Sequence, residues 1–200
     1  MQTVLNQLMK MTMTSTFRRR AVQGFTLIEL LIVVIIIAIL AAIAIPQFAN
    51  SSNDAQESAL DANLNTVRSA IELYRVQHNN RFPGVAASNG GDAAACNAAG
   101  GALGTGAVNT DVAFTNQLIG FSNAAGQTCT VAAAGFLFGP YLRAIPNESI
   151  GNNNTVNMDL VVGAPAPAAG GLGWRFNTIT GRFIINNSSP DRRNVPLSNH

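Results

Sequence analysis

The sequence has few charged residues and almost no lysine. Charged residues make up 11% of its 200 residues, whereas about a quarter is usual in soluble domains. Lys10 and Arg18–Arg20 all precede the first acid, Glu29. A chain that began after Gly24 would keep eight arginines, no lysine and ten acids, a net charge of −2. The basic character therefore belongs to the first residues, and we expect no nucleic-acid surface.

Residue patterns typical of enzymes are also missing. The two histidines, His78 and His200, have no motif partners. The sequence contains no nucleotide-binding loop, dinucleotide fingerprint or nucleophile elbow. We therefore expect no enzymatic activity, and any energy needed for assembly has to come from another protein.

Cysteine is nearly absent. Cys96 and Cys129 allow one intramolecular pairing. If this part of the chain is exported, a disulfide is expected, and it would stabilise the fold by about 3–4 kcal/mol on the chain-entropy model. Two buried thiols or a metal pair are the alternatives, although neither histidine lies at ligand spacing from a cysteine.

The sequence does contain one long apolar segment near its N-terminus. Residues 25–45 read FTLIELLIVVIIIAILAAIAI. A helix of this length spans about 31 Å, which matches a hydrocarbon core of about 30 Å. Arg18–Arg20 precede the segment and predict that the N-terminal side stays in the cytoplasm. The segment therefore predicts a membrane-spanning helix, with the chain after Ile45 exported.

Three simpler interpretations of this segment compete. A secretory signal peptide would explain the basic start and the small residues Ala42-Ile43-Ala44, but the run is long, contains an acid and is followed by Pro46. An ordinary single-pass anchor explains the length but not Glu29. A buried core helix fits poorly with a run so long and so apolar.

Glu29 decides among these interpretations, because a charge in hydrocarbon costs a few kcal/mol and is expected to have a partner. No basic residue follows it before Arg68. Cleavage after Gly24 would create an α-amino group at Phe25. Between staggered neighbouring helices, that amine could contact the carboxylate and set the register between subunits.

The residues Gly24-Phe25-Thr26-Leu27-Ile28-Glu29, followed by an apolar run and Pro46, resemble the class III signal of type IV pilins and type II secretion pseudopilins. The resemblance implies cleavage between Gly24 and Phe25 by a prepilin peptidase, N-methylation of Phe25, and a Glu29–Phe25 amine contact between subunits. It also implies a homo-oligomeric filament, assembled from the bacterial inner membrane by an assembly ATPase and inner-membrane platform proteins.

The chain divides into four predicted regions: a cleaved leader (1–24), an assembly helix (25–45), an amphipathic helix (46–80) and a globular domain (81–200). Pro46 is expected to kink or loosen the helix, which would help it move from bilayer to filament. Asn79-Asn80 and Pro83-Gly84 are expected to end it. One apolar stripe of the amphipathic helix is expected to pack on the globular domain: Leu60, Leu64, Val67, Ile71, Tyr74 and His78.

The remainder predicts an α+β fold, a long N-terminal helix packed on a small antiparallel sheet in the manner of type IV pilins. Residues 85–106 are rich in Ala and Gly and predict a loop, and Thr110-Asp111 predict the start of a short helix to Ile119. Strands are expected at 157–162, 173–177 and 182–186, the last two forming a hairpin. The candidate core residues of this hairpin are Trp174, Phe176, Phe183 and Ile185.

The subtype of filament rests on a shorter stretch. Gly139-Pro140-Tyr141-Leu142, followed by Ile145-Pro146, resembles the major pseudopilin of type II secretion. A surface type IV pilin for adhesion, motility or DNA uptake is the alternative, and a membrane-anchored binding protein is a rival from another class.

No cofactor is expected. Three acids are weak candidates for calcium, although a solvated Asn-rich turn is favoured: Glu148, Asp159 and Asp191.

Overall fold

The computed structural model describes residues 24–163, 167, 171–191 and 193–200. The predicted leader, apart from Gly24, lies outside the described residues. The chain forms two compact units, one ending at Phe48 and one running from Ala49 to His200. The elements in chain order are α1 (Leu27–Gln77), α2 (Ala93–Ala98), α3 (Asp111–Ile119), β1 (Phe121–Ser122), β2 (Thr128–Cys129), β3 (Val156–Asp159), β4 (Trp174–Asn177) and β5 (Phe183–Ile185), followed by a 3-10 turn at Leu197–Asn199.

The helix α1 is continuous at backbone level through Pro46. The predicted boundary at Pro46 is therefore not a break in helical structure, and bending at this position stays a prediction. The end of α1 is confirmed, because Asn79 and Asn80 take left-handed φ values of 54° and 63°. Asparagine tolerates this region better than most residues, and the Arg75 Nε donates to Asn80 Oδ1 at 2.6 Å.

The predicted stripe of α1 is buried, which confirms that this face of the helix packs on the globular domain. Leu60, Leu64, Val67, Ile71 and Tyr74 all belong to the main hydrophobic core. The four core residues predicted in the last hairpin lie in the same core and are buried as well. The strands β4 and β5 pair antiparallel, which confirms the hairpin.

The predicted α+β class is confirmed. The three-stranded sheet is mixed, because one of its two pairings is parallel and not antiparallel as predicted. Its strand order is β3-β4-β5, and β3 pairs parallel to β4 with Val156 opposite Trp174. Alternating apolar residues report which face of a strand is buried but not the direction of the strand. Direction depends on the connection, and residues 160–173 are numerous enough to return the chain to the same end of the sheet.

The stretch 85–106 contains an ordered helix, which corrects its assignment as a loop. Asp92 caps α2 by accepting a hydrogen bond from Ala95 N at 3.0 Å. The short antiparallel pair β1–β2 was not predicted from the sequence either. In contrast, α3 begins and ends as predicted, with Thr110 as its N-cap.

Candidate assembly site at the start of the long helix

The first turn of α1 is closed by reciprocal hydrogen bonds between Thr26 and Glu29. Thr26 N donates to Glu29 Oε2 at 2.9 Å, and Thr26 Oγ1 donates to the same oxygen at 2.7 Å. Glu29 N donates to Thr26 Oγ1 at 3.3 Å. This is a capping box, in which a threonine before the helix and a glutamate three residues later satisfy each other's backbone donors.

This local role of Glu29 was not predicted from the sequence, although the spacing Thr26-x-x-Glu29 is a known signal for a capping box. The carboxylate therefore has a partner within its own chain. Its predicted contact with the Phe25 amine of a neighbouring subunit stays a prediction. The two roles are compatible, because a carboxylate has two oxygens and several acceptor positions, and both Thr26 bonds end on Oε2.

The predicted cleavage point lies in an open part of the described chain. Phe25 is 86% exposed, and a Cβ built at Gly24 would have no described atom within 4 Å beyond its chain neighbours. Both residues precede the first residue of α1. An exposed, non-helical peptide bond is the kind of substrate that a peptidase can bind in extended form, so the geometry fits the predicted processing.

The apolar part of α1 is not covered by the rest of the described chain. Leu27–Ile45 is long and apolar enough to cross a membrane, and none of it is buried. Length and composition alone would fit a signal sequence equally well. An apolar surface of this size needs a cover of lipid or protein. The interpretation of Glu29 as a sign of a filament subunit rather than a simple anchor stays a prediction.

The predicted disulfide is confirmed. Cys96 and Cys129 are joined, with their Cα atoms 5.9 Å apart, and both are buried beside Phe136 in a second, smaller apolar cluster. The bond connects α2 to β2. It therefore fixes the short helix that composition alone had assigned to a loop.

The three calcium candidates each have other hydrogen-bonding partners. Glu148 accepts from Ile150 N and Gly151 N, Asp159 accepts from Val161 N and contacts Arg175, and Asp191 accepts from two backbone amides of its own turn. Within the described ranges, no three Asp, Glu, His or Cys side chains come together as a metal site. The three acids act as turn caps and ion-pair partners here.

The stretch Gly139–Leu142 fastens the chain to α3 and α1. Tyr141 N and Leu142 N both donate to Leu118 O at 2.9 Å, and Tyr141 Oη donates to Gln77 Oε1 at 2.6 Å. Burial raises the pKa of Tyr141 to about 12. The residues that resemble the major pseudopilin therefore have a structural role at the end of α1.

His78 joins the end of α1 to the β1 strand and is almost fully buried. Its ring stacks on Tyr74 at 3.8 Å. Nδ1 lies 2.9 Å from the Tyr74 carbonyl oxygen and Nε2 lies 3.0 Å from Ser122 Oγ. This geometry suits a neutral ring that donates from Nδ1 and accepts at Nε2. Burial lowers the pKa of His78.

We expect His78 to make the Ala49–His200 unit less stable in mild acid. Because the pKa of His78 is lowered in the folded protein, the unfolded chain binds the proton more readily. Stability therefore falls as pH drops below about 6.5, by at most about 1.4 kcal/mol per pH unit from one histidine. Thermal unfolding of the full chain in detergent, from pH 7.5 to 5, measures this effect.

The matched control for that titration is His78→Gln, which removes the titrating group and keeps a polar side chain. The difference between the two stability curves isolates His78 from His200 and from the carboxylates. A difference that stays constant over this pH range would show that burial of His78 does not contribute to acid sensitivity.

The comparisons with known proteins agree with this geometry. Residues 19–45 match the family model described as "Prokaryotic N-terminal methylation motif". This match covers the proposed cleavage point, the capping box and the apolar part of α1. The match therefore supports the resemblance that was recognised at Gly24–Glu29.

Similar stretches occur in known proteins of pili and secretion systems. The type IV narrow pilus major component PilA5 of Thermus thermophilus is 49% identical over 55 residues, which cover 28% of this chain and 47% of that protein. The type II secretion system core protein G of Klebsiella michiganensis is 30% identical over 66 residues, 33% of this chain and 46% of that protein. The type IV major fimbrial protein FimA of Dichelobacter nodosus is 56% identical over 50 residues, 25% and 32% of the two chains.

The chain is therefore similar to components of type IV pili and to a type II secretion core protein. The chain spans less than half the length of each of these three relatives. No solved structure matches the chain. The resemblance recognised at Gly24–Glu29 is confirmed by the match to residues 19–45. The description of the globular region depends on the structure of this chain alone.

Proposed function

We propose that the chain is a structural subunit of a type IV pilus-like filament, of the type II secretion pseudopilin kind. The observation that carries this proposal is the junction at Gly24–Phe25. An exposed peptide bond there is followed at once by a capped helix whose apolar surface is uncovered over Leu27–Ile45. We attribute no catalytic role to the chain.

The proposed route begins in the inner membrane. Residues 25–45 span the bilayer once, and the globular region is exported. A prepilin peptidase cleaves after Gly24, and Phe25 is methylated. An assembly ATPase and inner-membrane platform proteins then supply the work of extraction, and the apolar helices move from lipid into the filament. Pro46 is expected to help by weakening the helix locally, because proline removes one backbone hydrogen bond.

A surface type IV pilin is the second candidate. The identity to the pilus component PilA5 of Thermus thermophilus is 49%, against 30% for secretion protein G of Klebsiella michiganensis. Both alignments cover about a third of this chain or less, so the difference in identity does not decide the subtype. The stretch Gly139–Leu142 favours the pseudopilin, so we keep the pilin as the alternative.

Substitution of Gly24 by leucine tests the proposal. Leucine adds a branched side chain next to the cleaved bond, so we expect the precursor to keep its full length and to yield no filaments when produced with a prepilin peptidase and assembly proteins. Intact mass and electron microscopy of the sheared fraction measure the two effects.

The matched control is Ala21→Leu, which adds a similar side chain three residues upstream. We expect this control to be processed and assembled like the wild type. Normal processing and normal filaments from Gly24→Leu would contradict the proposed cleavage point. A wild-type chain that is neither processed nor assembled would favour a membrane-anchored binding protein.

A further inference from the structure

Two apolar segments lie exposed at one edge of the three-stranded sheet. Residues 160–162 follow β3, and Ile179 lies just after β4. Because β3 and β4 run parallel and pair over their whole length, both segments leave the sheet at the same edge. Val161, Val162 and Ile179 are 71%, 82% and 51% exposed. We call residues 160–162 and Ile179 the apolar patch.

Two buried polar side chains hold the apolar patch in place. Asn177 Nδ2 donates to Val161 O at 2.9 Å, and Asn177 Oδ1 accepts from Ile179 N at 3.0 Å. Asp159 Oδ1 accepts from Val161 N at 3.1 Å. Asn177 and Asp159 are both buried. The exposed apolar side chains therefore stand on a fixed backbone, and a surface that is ordered before binding loses less entropy when a partner docks.

The surroundings of the apolar patch carry a net positive charge. Gly181, in the turn after Ile179, lies directly against the Phe82 ring, since a Cβ built at Gly181 would overlap that ring. The Arg75 guanidinium lies 5.1 Å from the centre of the same ring. The strands β3 and β4, residues 178–182 and residues 72–82 together contain four arginines and two acids: Arg75, Arg81, Arg175, Arg182, Glu72 and Asp159.

A groove of the opposite charge lies further towards the start of α1. It is lined by the apolar residues Ile150, Pro190 and Leu197 together with Gln56 and Glu57 of α1. The described residues that line this groove and the adjoining one include four acids and one arginine: Asp54, Glu57, Asp61, Asp191 and Arg193. We call the groove beside Ile150 the acidic groove. It combines an apolar lining with negatively charged surroundings.

The apolar patch and the acidic groove lie at different heights along α1. The acidic groove borders the helix at residues 53–57, whereas the turn that carries Ile179 borders it at Ile71 and Glu72. At 1.5 Å per residue, these positions are about 25 Å apart along the helix axis. The two surfaces can therefore meet only between copies of the chain. A contact between two different surfaces repeats from copy to copy and, where it does not close into a ring, generates a filament.

We propose that the apolar patch of one subunit docks in the acidic groove of a second copy, shifted by about 25 Å along the direction of α1. Apolar side chains then cover each other, and the arginines around the apolar patch face the acids of the partner. This inference rests on the proposed filament function and adds a contact between globular regions. A patch of four side chains is smaller than the roughly 800 Å² per partner of a stable interface, so we expect it to hold only within a filament.

Cross-linking within filaments tests the docking directly. A chain with both Val162→Cys and Ile150→Cys is produced with a prepilin peptidase and assembly proteins, and its sheared filaments are treated with a short bis-maleimide linker. We expect a ladder of covalent oligomers on a denaturing gel, because each copy offers one apolar patch and one acidic groove. Each single variant is expected to give no dimer. The matched control is Leu137→Cys with Ile150→Cys, since Leu137 is 79% exposed and lies outside the apolar patch; it should give no ladder.

A charge placed in the apolar patch gives a second, independent measurement. Val162→Asp is expected to reduce filament yield by at least about tenfold, since docking would bury a carboxylate beside other acids. Processing at Gly24 should not change, and Leu137→Asp should assemble like the wild type. Dimers from Val162→Cys alone would show that apolar patches pair with each other and would overturn the proposal, as would the absence of a ladder from the double variant. Normal filaments from Val162→Asp would overturn the docking and leave the filament role intact, whereas a wild type without filaments would overturn both.

Discussion

Replacing Glu29 with leucine is expected to reduce filament yield by at least about tenfold and to leave membrane insertion intact. Insertion becomes easier because a charge leaves the apolar segment. Assembly is expected to suffer because the Phe25 amine of the neighbouring subunit would lose its proposed carboxylate partner. Breaking a buried ion pair costs about 3–5 kcal/mol, and about 1.4 kcal/mol is a factor of ten. Quantification of sheared filaments against membrane-bound subunit measures both effects.

Thr26→Val is the matched control, because the structure gives Glu29 two possible roles. Valine removes the Thr26 hydroxyl bonds of the capping box, at a cost of about 0.5–2 kcal/mol in helix stability, but keeps the Glu29 carboxylate. We expect Thr26→Val to assemble nearly as well as the wild type. If both variants lose assembly equally, Glu29 acts only as a helix cap, and the intersubunit contact is wrong.

The second large effect is expected from the disulfide. Replacing Cys96 and Cys129 together with serine should lower the free energy of unfolding by about 3–4 kcal/mol, since the bond closes a long loop in the unfolded chain. The melting temperature should fall by about 10 °C for a unit of this size. Thermal unfolding of the full chain in detergent measures the change.

The wild-type chain with and without reductant is the matched comparison for the serine variant, since it changes the bond without changing the sequence. Reduction should reproduce most of the loss and should expose α2 first, because Cys96 attaches that short helix to β2. Equal melting temperatures for the oxidised, reduced and serine forms would show that the small cluster around Phe136 holds this region by packing alone.

The helices were predictable where one local signal was strong. The Leu60-to-His78 stripe, the Thr110 cap and the asparagines after Gln77 each act through neighbours three or four residues away, and each predicted its element correctly. The parallel pairing of β3 with β4 was not predictable in this way, because strand direction depends on a connection whose composition carries no directional signal. The helix α2 was not predicted, because its Ala-rich sequence is also typical of a loop. The Cys96–Cys129 bond, which holds this helix in place, links residues far apart in the sequence.

In the candidate site, too, features set by neighbouring residues could be predicted from the sequence, whereas contacts between distant residues could not. Gly24, Phe25 and Glu29 could be identified from residue type and spacing, and the family comparison confirms the motif. The capping box was readable but was overlooked, because Glu29 was considered only as a buried charge. The contact between His200 and Asp61 spans 139 residues of sequence. No local pattern can predict such a contact, so it required the fold.

The most direct test of the filament role is intact-mass and N-terminal analysis of the protein from native membranes and from the sheared surface fraction. The account predicts a mature chain that starts at N-methylated Phe25, found in filaments rather than only in membranes. Enrichment in the sheared fraction would favour a surface pilus over a short secretion pseudopilus. A chain that keeps Met1, or one that starts near Ile45, would contradict the account and indicate an anchored or a secreted protein.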